Sequence, residues 1–178
     1  MTALRLFVAL ELPEATREAL AALRPDPEIW RPVAPQSLHV TLAFLGSRPQ
    51  EDVALIEPVV AAEAGGPAPP LSLGDVLLLP PRRARVLTVA VEDHDGTLAA
   101  LEARVSGALA AACVYTPEKR PFRPHVTVAR LRPRMRAPRD APLTLDRPRF
   151  RGEAVTLYVS HLHPSGARYE ALSSASLA

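Results

Sequence analysis

The chain has 178 residues, 48% of them hydrophobic, which suits one domain or two intimately packed lobes with a real core and excludes two independent domains. Its single cysteine, Cys113, excludes an intrachain disulfide, and no apolar run approaches membrane-spanning length. The formal net charge is only +2, yet Lys119 is the sole lysine, and from Arg120 to Arg151 ten arginines face only Asp140 and Asp146. A guanidinium-rich stretch of that kind fits a polyanion such as RNA, although Arg132 to Arg139 reads equally well as a solvated loop.

In chain order, the apolar start is broken by Arg5 and Glu11 and lacks a small-residue cleavage site, so it reads as a strand and not a signal peptide. Within Leu4 to Leu10, alternation puts Leu4, Leu6 and Val8 on one face and Arg5, Phe7 and Ala9 on the other. Pro13 and Glu14 open a helix that runs through Leu20 and Leu23 and is ended by Pro25. Trp30 to Pro35 is an extended connector in which Trp30 is an anchor or a base platform. It leads to a strand over Leu38 to Leu45, closed by Gly46. A helix follows over Gln50 to Ala64 despite Pro58, then strands over Leu71 to Leu79 and Val86 to Val91. Gly96 to Cys113 is the clearest amphipathic helix, with Leu98, Leu101, Val105 and Leu109 at helical spacing and Cys113 expected to be buried. The remaining strands are His125 to Leu131, Leu143 to Phe150, Ala154 to Leu162 and Arg168 to Leu172, an α+β order.

The tripeptide His-Val-Thr occurs twice, at 39–41 and 125–127, each time in a strand-like run. In an extended chain His39 and Thr41 project together, as do His125 and Thr127, while Val40 and Val126 point away. Two such units facing one another supply an acid, a base and two hydroxyl donors around one small anion, the equipment of metal-free phosphoryl chemistry. Parity also sorts the neighbours. Arg123, two residues before His125, shares its face and is a candidate phosphate or ribose contact, and Phe7 is either a base platform or a core residue. Phe44 falls on the Val40 face, towards the core. Arg130 falls with Val126 on the wrong face and reaches a substrate only if the strand bulges or ends there; otherwise it is a structural ion-pair partner. His161 and His163 share a strand face but have no Cys, Asp or Glu at ligand spacing, so a sheet-edge role is expected and no metal or cofactor is assigned.

These features are similar to a known family. RLFVALELP, SLHVTLAFLG, RPFRPHVTVARL and VTLYVSHLHPSGARYEAL resemble the bacterial and archaeal RNA 2′,3′-cyclic phosphodiesterases, also described as 2′-5′ RNA ligases, of the 2H phosphoesterase superfamily. The resemblance implies one bilobal domain over residues 1–178, with two antiparallel β-sheet lobes and outer helices around a central groove. It implies hydrolysis of a terminal RNA 2′,3′-cyclic phosphate to a 2′-phosphate without cofactor or metal, with a reverse 2′-5′ ligation. His39 is then the proton donor, His125 the acceptor, and Thr41 and Thr127 ligands of the phosphate oxygens, and Arg130 occupies the place of an arginine common in the second motif. A cytoplasmic monomer acting on RNA ends is expected. The competing expectations are a phosphodiesterase of small cyclic nucleotides such as ADP-ribose cyclic phosphate, and a non-catalytic nucleotide- or RNA-binding module.

Overall fold

A computed structural model describes residues 3–141, 143–164 and 166–178. Strand β1 (Ala3–Glu11) leads into helix α1 (Glu14–Ala21), and the expected connector contains a short strand, β2 (Trp30–Pro32). A single 3-10 turn at Pro35–Ser37 precedes β3 (His39–Pro49), which a second such turn at Gln50–Asp52 joins to α2 (Val53–Ala61). The hairpin β4 (Pro70–Leu79) and β5 (Val86–Asp93) is followed by α3 (Thr97–Ala111), β6 (His125–Leu131), β7 (Arg149–Arg151), β8 (Ala154–His161) and β9 (Arg168–Ser176).

All strand pairings are antiparallel, in the order β7-β4-β5-β6-β3-β1-β8-β9, with β2 also paired to β6. The two motif strands, β3 and β6, are neighbours at the middle of this order, joined by one residue pair, Val40 with Val126. To one side lie β3, β1, β8 and β9; to the other lie β6, β5, β4, β7 and β2. The sheet is thus two antiparallel lobes that meet where the two His-Val-Thr segments meet.

Helix α3 packs on both β3 and β5 and so covers the junction from behind. Its stripe Leu98, Leu101, Val105 and Leu109 is fully buried, as are Leu6, Val8 and Leu10 of β1 and Val40 and Val126. Burial of each such side chain stabilises the fold by roughly 2 kcal/mol before entropy is counted. The helix begins where it does because Asp93 and Asp95 accept the backbone N–H groups of Gly96, Thr97 and Ala99, which no helical turn can satisfy. It ends in a Schellman turn, with Val114 N–H on the Leu109 carbonyl and Cys113 N–H on that of Ala110.

Three expectations need correction. Gly46 does not close the third segment: with φ +73 it accompanies a bulge, and β3 continues to Pro49 against β1. The strand expected over Leu143 to Phe150 is confined to Arg149–Arg151, because only Phe150 and its neighbours find a partner, on β4. Cys113 is exposed and not buried, since the Schellman turn puts it at the left-handed position with φ 60, where its side chain leaves the helix.

Candidate active site

The Val40–Val126 pair fixes the geometry of the motifs. In an antiparallel pair centred there, His39 falls across from Thr127 and Thr41 across from His125, and all four lie on the face opposite the two valines. The two units are related by an approximate two-fold axis through the valine pair. The likeness goes further along the chain. In β3 the residue after Thr41, Leu42, is a bulge, because Ala9 pairs with Thr41 and Val8 with Ala43. In β6 the residue after Thr127, Val128, is a bulge in the same way, because Thr88 pairs with Thr127 and Leu87 with Ala129. Each extra residue reverses the parity beyond it. Both hexapeptides consequently show the same succession of half-buried, buried, half-buried, buried, buried and exposed residues, ending at Phe44 and Arg130.

That reversal decides two assignments. Arg130 returns to the face of His125 and lines the cavity, as the bulge condition required. Phe44, expected in the core, does the same: it is 46% exposed at the cavity, and the Arg5 guanidinium lies 4.7 Å above its ring.

Both histidines are held alike. The Nδ1–H of His39 donates to the Ser37 carbonyl at 2.8 Å, and that of His125 to the Arg123 carbonyl at 2.8 Å. A carbonyl can only accept, so Nδ1 carries the proton in the neutral ring and Nε2 is the atom offered to the site. The 3-10 turn at Pro35–Ser37 places the first of these carbonyls and the Pro124-restricted approach places the second. Arg123 therefore contacts its histidine through the backbone; its side chain is exposed and outside the cavity lining. Thr41 Oγ1 donates to His39 Nε2 at 3.2 Å, while the Nε2 of His125 has no partner among the described residues.

The surroundings of the two rings differ. His39 stacks on Phe7, with ring centroids 4.9 Å apart, and meets the edge of Tyr169 at 5.4 Å; Phe7 also stacks on Tyr158 at 5.2 Å. Burial among these rings lowers the His39 pKa to about 4, with Arg130 and His125 adding repulsion and the Ser37 carbonyl opposing them. Phe7 is only 4% exposed, so most of its surface is spent on its aromatic neighbours. Glu11, the cross-strand partner of His39, accepts hydrogen bonds from Thr156 Oγ1 and Tyr158 Oη. Burial first, and Glu11 second, push the Tyr158 phenol up to about 12, so it stays a donor.

The cavity has a volume of about 300 Å³ and is lined by Phe7, His39, Thr41, Phe44 and Arg130, with Arg5, Ser160, Leu162, Ala167 and Tyr169 completing its wall. Sequence reasoning missed Tyr158, Tyr169 and Ser160, whose approach depends on the register of β8 against β1 and of β9 against β8. Trp30 is buried and anchors β2. His161 pairs with Glu170 at 2.9 Å at the sheet edge. Among the described residues no group of three or more His, Cys, Asp or Glu is placed to hold a metal ion.

His39, Thr41 and Arg130 line the cavity, and the Val40–Val126 pair puts His125 and Thr127 on the same face beside it but outside its lining. The paired strands together thus offer two imidazoles, two hydroxyls and an arginine, an acid–base arrangement suited to an anionic centre. A family model, the 2′-5′ RNA ligase superfamily, matches residues 8–164, and the chain belongs to that superfamily. It is 34% identical to the RNA 2′,3′-cyclic phosphodiesterase of Thermus thermophilus, over 98% of this chain and 90% of that protein. Among solved structures it is similar to TT0787 of Thermus thermophilus, with TM-score 0.78 and 33% identity over 97% of each chain. It is also similar to Escherichia coli LigT complexed with 3′-AMP, with TM-score 0.77 and 29% identity over 99% of each chain.

Proposed function

We propose that the protein is an RNA 2′,3′-cyclic phosphodiesterase that opens a terminal cyclic phosphate to a 2′-phosphate by two-histidine acid–base catalysis. The observation that carries this reading is the Val40–Val126 pair, which supports both His-x-Thr units acting on one centre. The names of the relatives point to the same activity. In the reaction, water attacks phosphorus and loses a proton to one imidazole. The bond from phosphorus to the 3′-oxygen breaks, and that oxygen takes a proton from the other imidazole, leaving a 3′-hydroxyl and a 2′-phosphate. His39 is the donor and His125 the acceptor. Thr41 and Thr127 hold the non-bridging oxygens, and Arg130 offsets the charge that builds on them. His39 is neutral in the free protein at neutral pH, and an incoming phosphate anion reverses the repulsion from Arg130 and His125, so the substrate raises the affinity of His39 for its proton.

When a 5′-hydroxyl takes the place of water in the same attack, the product is a 2′-5′ linkage, so ligation needs no further machinery. The reading takes residues 1–178 as one bilobal domain, supported by α3 spanning the junction, and the protein as a cytoplasmic monomer acting on RNA ends. No helix among the described residues is long and apolar enough to cross a membrane.

Incubation in EDTA with RNA ending in a 2′,3′-cyclic phosphate should yield a 2′-phosphate end; no turnover by folded protein would overturn the proposal. His39→Ala and His125→Ala should each lower turnover by about 10²-fold to about 10⁴-fold. A phosphodiester with a nitrophenolate leaving group, which departs without a proton, assigns the roles. On it the loss in His39→Ala should largely disappear while that in His125→Ala persists, and the opposite result would exchange donor and acceptor.

A further inference from the structure

Arg130 stands between two neighbours on β6: Val86 of β5 pairs with it on one side and Arg31 of β2 on the other. Cross-strand partners share a face, so Arg31 lies on the side of the sheet that carries the cavity. Two guanidinium groups opposite one another repel, and among the described residues neither is ion-paired with a carboxylate. The Arg31 guanidinium extends to 3.5 Å from the Pro164 carbonyl, and Leu162 and Ala167, on either side of Pro164 in the chain, both line the cavity. It therefore stands at the cavity mouth.

More positive charge converges on the same end of the sheet. The Leu131 N–H donates to the Arg85 carbonyl and the Arg132 N–H to that of Ile29, each at 2.9 Å, so the β4–β5 turn, β6 and the start of β2 are laced together beside Arg130. Arg82, Arg83 and Arg85 of that turn are exposed, and the chain has no carboxylate from Val76 to Val91. None of these three guanidinium groups is ion-paired among the described residues.

We propose that Arg31 and the arginines of the β4–β5 turn bind the phosphodiesters that precede the terminal nucleotide, which makes the substrate an RNA strand and not a small cyclic nucleotide. This rests on the cyclic-phosphate reading of the cavity. A mononucleotide carries one phosphate, which the two motifs and Arg130 occupy, and it leaves nothing for Arg31 or Arg85 to hold. A strand continuing past the mouth presents a negative charge at each step, matching the exposed arginines of the β4–β5 turn, where residues Val76 to Val91 carry no carboxylate.

The test compares kcat/KM on a 2′,3′-cyclic mononucleotide and on a short RNA with the same end, from about 50 to about 200 mM salt. The RNA should be preferred, with a preference that falls as salt rises. R31Q and the triple variant R82Q/R83Q/R85Q should lower kcat/KM on RNA about tenfold, flatten its salt dependence by about one phosphate contact per arginine, and leave the mononucleotide within about twofold. Equal use of both substrates, or equal losses on both in the variants, would overturn the proposal. Anisotropy with a labelled RNA ending in a 2′-phosphate reads the surface without turnover. Unchanged affinity in the variants sinks this inference alone, and weakened affinity with no turnover of either substrate sinks the reaction and leaves the surface standing.

Discussion

His39 and His125 have the same sequence neighbours and the same Nδ1 anchor, so what separates them is packing: one ring sits among Phe7, Tyr158 and Tyr169 and the other does not. Burial holds the His39 pKa at about 4. The acid limb of kcat/KM should then fall near pH 4 and not near 6.5, whichever histidine is donor, because a bell-shaped profile reports the two values and not their assignment. Phe7→Leu should open the ring pocket and move that limb upward while leaving the alkaline limb in place; an unmoved acid limb would assign Phe7 no part in holding His39. The same burial has a stability consequence with a definite sign. Between about pH 6.5 and about 4 the unfolded chain binds a proton at His39 that the native chain does not, so stability is full above this window and declines as pH falls through it. Urea midpoints in His39→Gln should show a shallower decline than in the wild type. The four motif residues were legible because a strand alternates, and parity alone identifies their common face. Phe44 was misread by the same rule, since Leu42 breaks the alternation and nothing in the lone strand announces it.

At the scale of the element, helix α3 carries a local strain. Cys113 occupies the left-handed position of its C-terminal Schellman turn, where glycine has no steric cost. Cys113→Gly should stabilise the protein by about 1 kcal/mol in chemical denaturation, with activity unchanged. Leu101→Ala, by contrast, removes a fully buried side chain from the helix that covers the β3–β6 junction and should cost about 3 kcal/mol. Helices and long strands were readable from their periodicity, α3 most clearly. Strand β2 was not: Trp30, Arg31 and Pro32 have no pattern of their own and become a strand because β6 offers them a partner. The segment over Leu143 to Phe150 failed in the opposite direction, with apolar residues but a partner only at its end.

At the scale of the molecule, the β3–β6 pair and helix α3 join the lobes, and the face that carries both motifs straddles their seam. Because α3 buries its stripe against both β3 and β5, neither lobe keeps its core without the other. Unfolding should accordingly be a single transition. Trp30 fluorescence, which reports the β6 lobe, should coincide with far-UV circular dichroism, which reports both; separated midpoints would indicate lobes that unfold one at a time. The α+β class and the convergence of two strands were readable from the order of elements and the repeated motif. The shared seam was not, because it depends on which edge strand of each half meets the other.

The approximate two-fold axis through Val40 and Val126 has a stereochemical consequence. The two non-bridging oxygens of a cyclic phosphate are prochiral, and in the proposed reaction the threonine of each strand addresses one of them. Sulfur accepts hydrogen bonds poorly, so Thr41→Val and Thr127→Val should each erase the penalty for one phosphorothioate diastereomer and keep it for the other. Two copies of one tripeptide would thus tell the left hand of a phosphate from its right.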